Sequence, residues 1–433
     1  MRRRGTSLIL EAIEPSRKSV DAVELRYPNL REALRAFGPI SYLQRGGRLL
    51  KHPLKKMPKP GKLRQELNTA YLLTASYRLQ KAMTPVDKLF WSKQFTLASV
   101  GLFGRPEPRQ VRSLAAAELS YFQALVDELD NHHDFTRALL HYYRLLAGNT
   151  KSAGNLDKRY AKLLDDVRDY LYDRYDTVLA VFDGMPTSGE LEPAELRRYF
   201  RRGLKALVGQ DPAWADWQVI SNQSAGLSVE APKKQIIIGR YRAPIQVGEV
   251  RGLFAHEVLV HANRAVGGAK LSKALTEGLP DYLEAEEGLG VLIEAALRGG
   301  IPSKIRDRYL DIALAMGNYR RRAVNREQLF NVCYVRAVLR SLDRGFDLDL
   351  DDLENETWQH VNRIYRGSLG DKYVAVFTKD IAYYQGFVKL AKHFKSQAKA
   401  GQLATSLDFA LKGKFDPTNP ADVRLVKSLT KKK

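Results

Sequence analysis

Apolar residues recur three and four positions apart along most of this chain, which is the spacing of one face of an α-helix. The pattern predicts helices over residues 67–81, 85–100, 109–129, 135–146, 157–182 and 193–208. After an interruption it predicts further helices over 246–265, 281–298, 304–315, 327–341, 353–365 and 380–395. A chain of 433 residues can bury a large core, so we expect a folded, mainly helical protein.

Two short runs rich in β-branched residues interrupt the helical pattern. Residues 217–220 read Trp-Gln-Val-Ile, and residues 235–238 read Gln-Ile-Ile-Ile between Lys234 and Gly239. Short runs of this composition are typical of strands. The sequence therefore predicts an α+β fold that is predominantly helical and contains a small sheet.

Composition divides the chain into four regions. Residues 52–62 contain three prolines and four lysines, which disfavours regular structure and suits a linker. We therefore predict a basic N-terminal lead with its linker (1–62), a helical region (63–208), a region that holds the motifs described below (209–400) and a basic C-terminal tail (401–433). We expect the tail to be peripheral from about Lys412 onward.

The charge and the cysteine content limit the partners and the compartment. Lys and Arg outnumber Asp and Glu by 70 to 49, and the net charge of +21 allows an acidic polymer as a partner. The absence of a known nucleic-acid motif argues against nucleic acid. The single cysteine, Cys333, lies in an apolar helical pattern, so we expect a buried thiol and a reducing, cytoplasmic location. No apolar run is long enough to cross a bilayer, so we expect a soluble protein without a membrane partner.

One segment carries a metal-ligand pattern, H-E-x-x-x-H, formed by His256, Glu257 and His261 within a predicted helix. In the zinc motif H-E-x-x-H the histidines lie about 40° apart around the helix, whereas one extra residue raises the angle to about 140°. Both imidazoles can then reach one ion only if the helix widens locally into a π-turn, a distortion that is frequent at functional sites. The alternative is that Glu257 pairs with His261 at the edge of an apolar face.

A third candidate ligand lies downstream, on the helix predicted over 281–298. A hydrolytic zinc site uses three protein ligands and keeps one position for water. Glu284, Glu286 and Glu287 precede Gly288 and Gly290, and spacing alone does not choose among the three carboxylates. The glycines would let this helix approach another closely. The alternative is an acidic first turn that complements the helix dipole.

These motifs occur together in a known family. His256-Glu257-x-x-x-His261 followed by Glu286-Glu287-Gly288-Leu289-Gly290 resembles the H-E-x-x-x-H and (E/Q)-E-G-L-A signatures of the microtubule-associated tyrosine carboxypeptidase family, whose bacterial members are often described by a Q-E-G-L-A motif. Leu102-Phe103-Gly104-Arg105-Pro106 resembles its aromatic-Gly-x-Pro segment, and Arg366-Gly367 and residues 377–386 resemble its R-G and T-K-D-x-x-Y-x-x-G blocks. Gly290 replaces the family's alanine, a change that we expect to be mild. The residues Val258-Leu259-Val260 are bulkier than the family's usual filler.

The resemblance implies a zincin-like metallopeptidase with its small sheet beside the metal-binding helix. It implies that His256, His261 and Glu287 bind Zn²⁺ and that Glu257 is the catalytic base. It also implies removal of a C-terminal aromatic residue, tyrosine or similar, from a protein or peptide with a free C-terminus. The run 235–238 is either an edge strand that holds an extended substrate or a core strand.

Four further side chains are candidates for contacts with the substrate. Tyr383 lies in the family's T-K-D block, and its phenol could donate a hydrogen bond to the oxyanion, although a tyrosine in the helical core is an equal alternative. Arg264, Arg366 and Lys379 lie near matched motifs and are candidates for binding the terminal carboxylate, which an Arg or Lys would recognise.

Two other functions are compatible with the sequence. In a basic, mostly helical polyanion-binding protein the H-E-x-x-x-H pattern would be incidental and no zinc would bind. A catalytically inactive, zinc-bound adaptor would hold the metal but would release no terminal amino acid from any peptide.

Overall fold

The computed structural model describes residues 106–128, 134–150, 156–224, 226–317, 326–343 and 378–431, together with single residues between 324 and 376. The predicted lead 1–62, the helices over 67–81 and 85–100, most of the segment 102–106 and Arg366 lie outside the described residues. The helix predicted over 353–365 is described only in part.

The described chain is predominantly helical with small sheets, as the apolar periodicity predicts. Its α-helices are α1 (Pro108–Glu128), α2 (Asp134–Ala147), α3 (Leu156–Leu179), α4 (Pro193–Gln210), α5 (Val247–Phe254), α6 (Asn263–Ala269), α7 (Lys273–Glu277), α8 (Leu283–Arg298), α9 (Ser303–Met316), α10 (Arg326–Asp343), α11 (Ile381–Lys399), α12 (Leu403–Ala410) and α13 (Pro420–Lys431). The strands are β1 (Glu190–Leu191), β2 (Gln218–Ile220), β3 (Leu227–Glu230), β4 (Gln235–Ile238) and β5 (Ile245–Gln246). None of these helices combines the length and the apolarity needed to cross a bilayer.

Local chemistry explains why helix ends agree with the sequence pattern. Helix α4 begins at Pro193, whose fixed φ suits the first helical position. Glu192 and Glu195 form a capping box there, which satisfies backbone N–H groups that lack a partner inside the helix. Helix α8 ends at Arg298 and is followed by Gly299, which adopts the left-handed conformation with φ of 75° that favours glycine.

The described residues fall into two compact units, which cut across the predicted regions 63–208 and 209–400. The first unit contains described residues of 106–150 and 307–381, and the second contains those of 156–306 and 382–431. In the first unit α1 packs on α2, and the rings of Phe122 and Tyr143 stack with centroids 5.6 Å apart.

The second unit holds both sheets. Strand β4 is the centre of a three-stranded sheet, parallel to β2 and antiparallel to β3. Ile236 and Ile238 of β4 are fully buried. Residues 235–238 therefore form a core strand, and the alternative of an edge strand is wrong. The edge that contacts the H-E-x-x-x-H helix is β3. Strands β1 and β5 form a separate antiparallel pair.

The C-terminal residues of the second unit are part of its core. Phe415 and Val426 are fully buried and pack with Leu275 and Leu279. Leu407 of α12 is also fully buried. The described part of the segment 401–433 is therefore packed into this unit and is not peripheral.

Candidate metal centre

The H-E-x-x-x-H segment departs from α-helical geometry. Residues Ala255–Ala262 form a π-helix between α5 and α6. A wider turn carries more residues per revolution, so it returns a residue at i+5 toward the side of residue i. The rings of His256 and His261 accordingly lie with their centroids 4.9 Å apart. The predicted local widening of the helix is confirmed.

The third candidate ligand comes from α8. One carboxylate oxygen of Glu287, Oε2, lies 3.8 Å from Nε2 of His256 and 3.5 Å from Nε2 of His261. The three side chains each offer a ligand atom within 4.8 Å of the others. Oε2 is buried and has no hydrogen-bond partner among the described residues, a situation that is costly for a carboxylate oxygen unless a cation or donor binds it. The sequence spacing did not choose among Glu284, Glu286 and Glu287 as the third ligand. In the structure, Glu287 is the one whose carboxylate lies near Nε2 of both histidines.

Two more carboxylates hold the outer nitrogens of the imidazoles. Nδ1 of His256 lies 2.9 Å from Oε2 of Glu294, and Nδ1 of His261 lies 2.9 Å from Oε1 of Glu286. When each Nδ1–H donates to its carboxylate, Nε2 keeps a lone pair on the side of Glu287. Glu294 was not predicted from the sequence. The available signal is that it stands seven residues, or two helical turns, after Glu287 in an otherwise apolar run.

A buried arginine supports the carboxylate behind His261. Nη1 of Arg264 donates to Oε2 of Glu286 at 2.5 Å. Nε donates to the carbonyl oxygens of Ala410 and Gly413 at 3.0 and 2.7 Å, and Nη2 donates to that of Phe415. The arginine is 0% exposed. Arg264 therefore joins Glu286 to the segment 410–415 and presents no surface to a substrate.

A second arginine supports the carboxylate behind His256. Nη1 of Arg298 lies 3.1 Å from Oε1 of Glu294, and its Nη2 lies 2.5 Å from Oε1 of Glu249. Both carboxylates that hold the imidazoles are thus paired with an arginine, which favours their ionised form.

The carboxylates control the proton affinity of the histidines. Burial lowers the pKa of His261, but Glu286 and Glu287 outweigh it and raise the pKa to about 9. Burial likewise lowers the pKa of His256, and Glu287 and Glu294 raise it well above the ordinary value. Burial raises the pKa of Glu287, but the two histidines hold it well below its usual range. A divalent cation at this centre would replace protons on the imidazoles.

Glu257 follows His256 in the π-helix and is partly exposed. Burial raises the pKa of its carboxyl, an effect that His261 and His256 oppose and that Glu287 reinforces. A carboxylate with a raised pKa accepts and releases protons more readily near neutral pH than an ordinary surface glutamate.

The other predicted residues lie in different places. Tyr383 of α11 is partly exposed, and its ring centroid lies 6.4 Å from that of His256. Lys379 is a partly exposed residue of the 3₁₀ turn Thr378–Asp380 in the first unit.

The two glycines of α8 permit the close approaches that the sequence predicts. A Cβ on Gly288 would lie 2.2 Å from the carbonyl carbon of Gly386 in α11. A Cβ on Gly290 would lie 2.6 Å from Nε2 of His256. Real Cβ atoms essentially never approach so closely. The ring of His256 therefore occupies the space that a methyl group at position 290 would need, so the alanine of the family signature would require this ring to shift.

Comparison with known families supports the resemblance found in the motifs. The model of the microtubule-associated tyrosine carboxypeptidase family matches residues 345–432. The predicted resemblance to this carboxypeptidase family is confirmed over that part of the chain, which contains the R-G and T-K-D blocks. Neither the curated proteins nor the solved structures contain a match to this chain.

The tyrosine carboxypeptidase match covers residues that contact the candidate metal centre or its supporting side chains, although the H-E-x-x-x-H and E-E-G-L-G motifs lie before it. It includes Tyr383 beside His256, Gly386 against Gly288, and the segment 410–415 that holds Arg264. The part of the matched stretch that belongs to the second unit, from Ala382 onward, therefore packs against the motifs that lie upstream of it.

A second group of metal-ligand residue types lies in the first unit, formed by Asp311, Cys333 and His360. The Asp311 carboxylate already accepts two hydrogen bonds from Arg336, at 2.8 and 2.6 Å, and lies 2.7 Å from Nε2 of His360. Burial raises the pKa of the Cys333 thiol well above its usual value, which disfavours a thiolate ligand. A cation would also face the charge of Arg336, so we assign this group to a buried ion-pair network. Cys333 is buried, as predicted.

Proposed function

We propose that this chain is a zinc-dependent metallopeptidase with a zincin-like fold, and that it acts as a carboxypeptidase on a C-terminal aromatic, tyrosine-like residue. One observation carries the proposal: Nε2 of His256, Nε2 of His261 and the unpartnered Oε2 of Glu287 lie around one point, with Glu257 next to them in the chain. The family match supports the carboxypeptidase class and the preference for tyrosine.

The chemistry of the donor set fits a catalytic zinc site, which uses three nitrogen or oxygen ligands from the protein. When held by His256, His261 and Glu287, Zn²⁺ would supply Lewis acidity that polarises a peptide carbonyl and lowers the pKa of water to about 7. Glu286 and Glu294 would keep both imidazoles in the tautomer that leaves Nε2 unprotonated.

Glu257 performs the proton transfers in this proposal. Its carboxylate accepts a proton from the attacking water, whose oxygen forms a bond to the carbonyl carbon of the last peptide bond. Glu257 then returns that proton to the nitrogen of the terminal residue as the C–N bond breaks. The water oxygen remains in the new C-terminal carboxylate of the shortened chain. The phenol of Tyr383 donates a hydrogen bond to the oxyanion that forms on the carbonyl oxygen.

The substrate is a protein or peptide with a free C-terminus. Strand β3 is the sheet edge that contacts the π-helix, so an extended peptide could pair with its main chain. The net charge of +21 would favour an acidic polymer as a partner, in a cytoplasmic setting.

A peptide panel with two variants tests the proposal. The zinc-loaded full chain should contain about one zinc and release the terminal residue from peptides ending in tyrosine or phenylalanine. Glu257→Gln should keep the zinc and lose at least about 1,000-fold in kcat, because no carboxylate accepts the proton. Glu277→Gln is the matched control, since its side chain is 56% exposed and its one ion pair among the described residues is a surface pair with Lys273. It should behave as the unmodified chain.

The remaining outcomes identify the competing functions. Zinc binding without release of any terminal residue would contradict the peptidase and indicate an inactive adaptor. Absence of zinc would overturn the metal centre itself and favour the polyanion-binding protein.

A further inference from the structure

A carboxypeptidase must recognise the free carboxylate of its substrate, and three arginines of the second unit near the H-E-x-x-x-H helix have other partners. Arg264 is held by Glu286 and backbone carbonyls. Arg251 donates to Tyr172 and Asp183, both at 2.6 Å. Arg298 pairs with Glu249 and Glu294. In each of these three both terminal nitrogens of the guanidinium have partners, although Nε of Arg251 is itself buried without one.

Arg242 differs from these three. It follows β4 and precedes β5, which leads into α5 and then into the π-helix that carries His256 and Glu257. Within the described part of the chain its guanidinium forms no ion pair, and its Nε is buried without a hydrogen-bond partner. A buried donor without an acceptor is unfavourable, so the site is incomplete until an acceptor arrives.

The charge of Arg242 acts on the catalytic base. Burial lowers the pKa of Arg242, whereas the charges of Glu257 and Glu249 raise it. Strand β4, which precedes Arg242, contacts the π-helix that carries Glu257. The direction of the pKa shift agrees with a position near Glu257, and the two residues form no salt bridge. A terminal carboxylate lies one residue beyond the bond that is cut, about 3.8 Å from it by the spacing of successive Cα atoms. We expect that carboxylate to bind a cation that lies near Glu257 without pairing with it.

The three residues that precede Arg242 are held in place by backbone hydrogen bonds to the segment 222–226. The backbone N–H groups of Gly239 and Arg240 donate to the carbonyl oxygens of Gly226 and Asn222, both at 2.9 Å, and that of Tyr241 donates to Ser224 at 3.0 Å. A Cβ on Gly239 would lie 2.0 Å from the carbonyl oxygen of Ser224, so only glycine allows this contact. A binding group on a fixed backbone loses little entropy when its ligand arrives.

We propose, on the basis of the proposed function, that Arg242 binds the terminal α-carboxylate of the substrate. The planar guanidinium matches a carboxylate with two parallel hydrogen bonds. Arg242 thereby makes the enzyme an exopeptidase, because an internal peptide bond or a C-terminal amide offers no negative charge at that position.

Two peptides measure this recognition directly. One is N-acetyl-Ala-Ala-Tyr with a free carboxylate, and the other is the same peptide with a C-terminal carboxamide. For each, kcat/KM is obtained from the release of tyrosine or tyrosinamide by the zinc-loaded full chain, and zinc content is measured in every variant. The variants are Arg242→Gln, Arg242→Lys and the control Arg240→Gln, whose exposed side chain contacts only Ser221 among the described side chains.

The unmodified chain should prefer the free carboxylate, and Arg242→Gln should lower kcat/KM for that peptide about 10- to 100-fold. The same variant should change kcat/KM for the carboxamide less than about threefold, so the preference disappears. Arg242→Lys keeps the charge and should retain part of the preference, which preserves the test if the glutamine variant does not fold. Arg240→Gln should match the unmodified chain.

Two results would be decisive against the proposal. An unchanged preference for the free carboxylate in Arg242→Gln would overturn the role of Arg242 while leaving the peptidase intact. An equal loss with both peptides would assign Arg242 to a structural role. Failure of the unmodified, zinc-loaded chain to cut any peptide would instead overturn the proposed function.

Discussion

Replacement of Gly290 by alanine is expected to remove most of the affinity for zinc. The new Cβ would lie 2.6 Å from Nε2 and 2.8 Å from both Cδ2 and Cε1 of His256, whereas ordinary contacts begin at 3.4 Å. The ring must therefore retreat by about 0.8 Å, or α8 must move away with Glu287. The hydrogen bond from Nδ1 to Glu294, at 2.9 Å, opposes movement of the ring.

This displacement is large compared with the tolerance of the metal. A Zn–N bond is about 2.0–2.1 Å long and varies by about 0.2 Å. Changes behind the ligands typically weaken metal binding about 10- to 100-fold, and displacement of a ligand atom should have a larger effect. We therefore expect a loss of at least about 100-fold, which corresponds to about 3 kcal/mol.

Competition with a chromophoric zinc chelator at neutral pH measures the dissociation constant. Gly248→Ala is the matched control, because Gly248 also lies in a helix and a Cβ there would meet no atom within 4 Å. Circular dichroism of both metal-free variants checks that the helices remain. If Gly290→Ala bound zinc within about threefold of the unmodified chain, the packing of His256 against α8 could not be a requirement for the site.

Three further predictions concern the buried titratable side chains Glu294, His261 and Arg336. Glu294→Gln should weaken zinc binding about 10- to 100-fold in a metal titration, and an unchanged affinity would contradict its role in holding His256. Because the pKa of His261 is raised from 6.5 to about 9, the stability it gives the metal-free chain is present below pH 6.5 and lost as the pH rises through about 9. Urea unfolding of that form should lose up to about 3 kcal/mol over this range, whereas zinc affinity should rise and binding should release protons; a flat profile in both would refute the assignment. Arg336→Met leaves Asp311 buried without its ion pair and should destabilise the protein by about 3–5 kcal/mol in denaturant unfolding without changing its zinc content, whereas a loss of zinc would make the Asp311 group a metal site.

Most helices and strands could be predicted from the local sequence pattern. Each of them buries one face, and apolar residues recur on that face with a fixed period. The strand at Gln235–Ile238 has the predicted bounds, and α4 extends only two residues beyond the predicted 193–208. The position of a strand within its sheet depends on which other segments pair with it. The central position of β4 in its sheet could therefore not be predicted from its own four residues.

The site was partly predictable for a different reason. The spacing of His256 and His261 predicts a widened helix only if both side chains bind one ion. That assumption allowed us to predict the π-helix that the structure contains. No local feature of Val258-Leu259-Val260 gives the same result, because the backbone of these fully buried residues adapts to tertiary packing.

The role of each arginine could not be predicted locally, because it depends on contacts with residues that are far away in the sequence. Arg264 lies three residues after His261 and was a reasonable candidate for the substrate carboxylate. Its hydrogen-bond partner Gly413 is 149 residues further along the chain, and this contact buries the guanidinium. Arg242 stands in a stretch with several other basic residues, and only its buried, unpartnered Nε distinguishes it. Periodicity and composition contain neither fact.

The hydrogen bonds of Arg264 also set the order in which the protein can mature during synthesis. The carbonyl groups of Ala410, Gly413 and Phe415 do not reach Arg264 until residue 415 has left the ribosomal tunnel. A nascent chain can contain both histidines and Glu287 long before that moment, but the buried arginine behind Glu286 then lacks three of its acceptors. If the proposed function holds, acquisition of the ion should follow translation of this stretch, and the growing polypeptide should have no hydrolytic activity while it is being made.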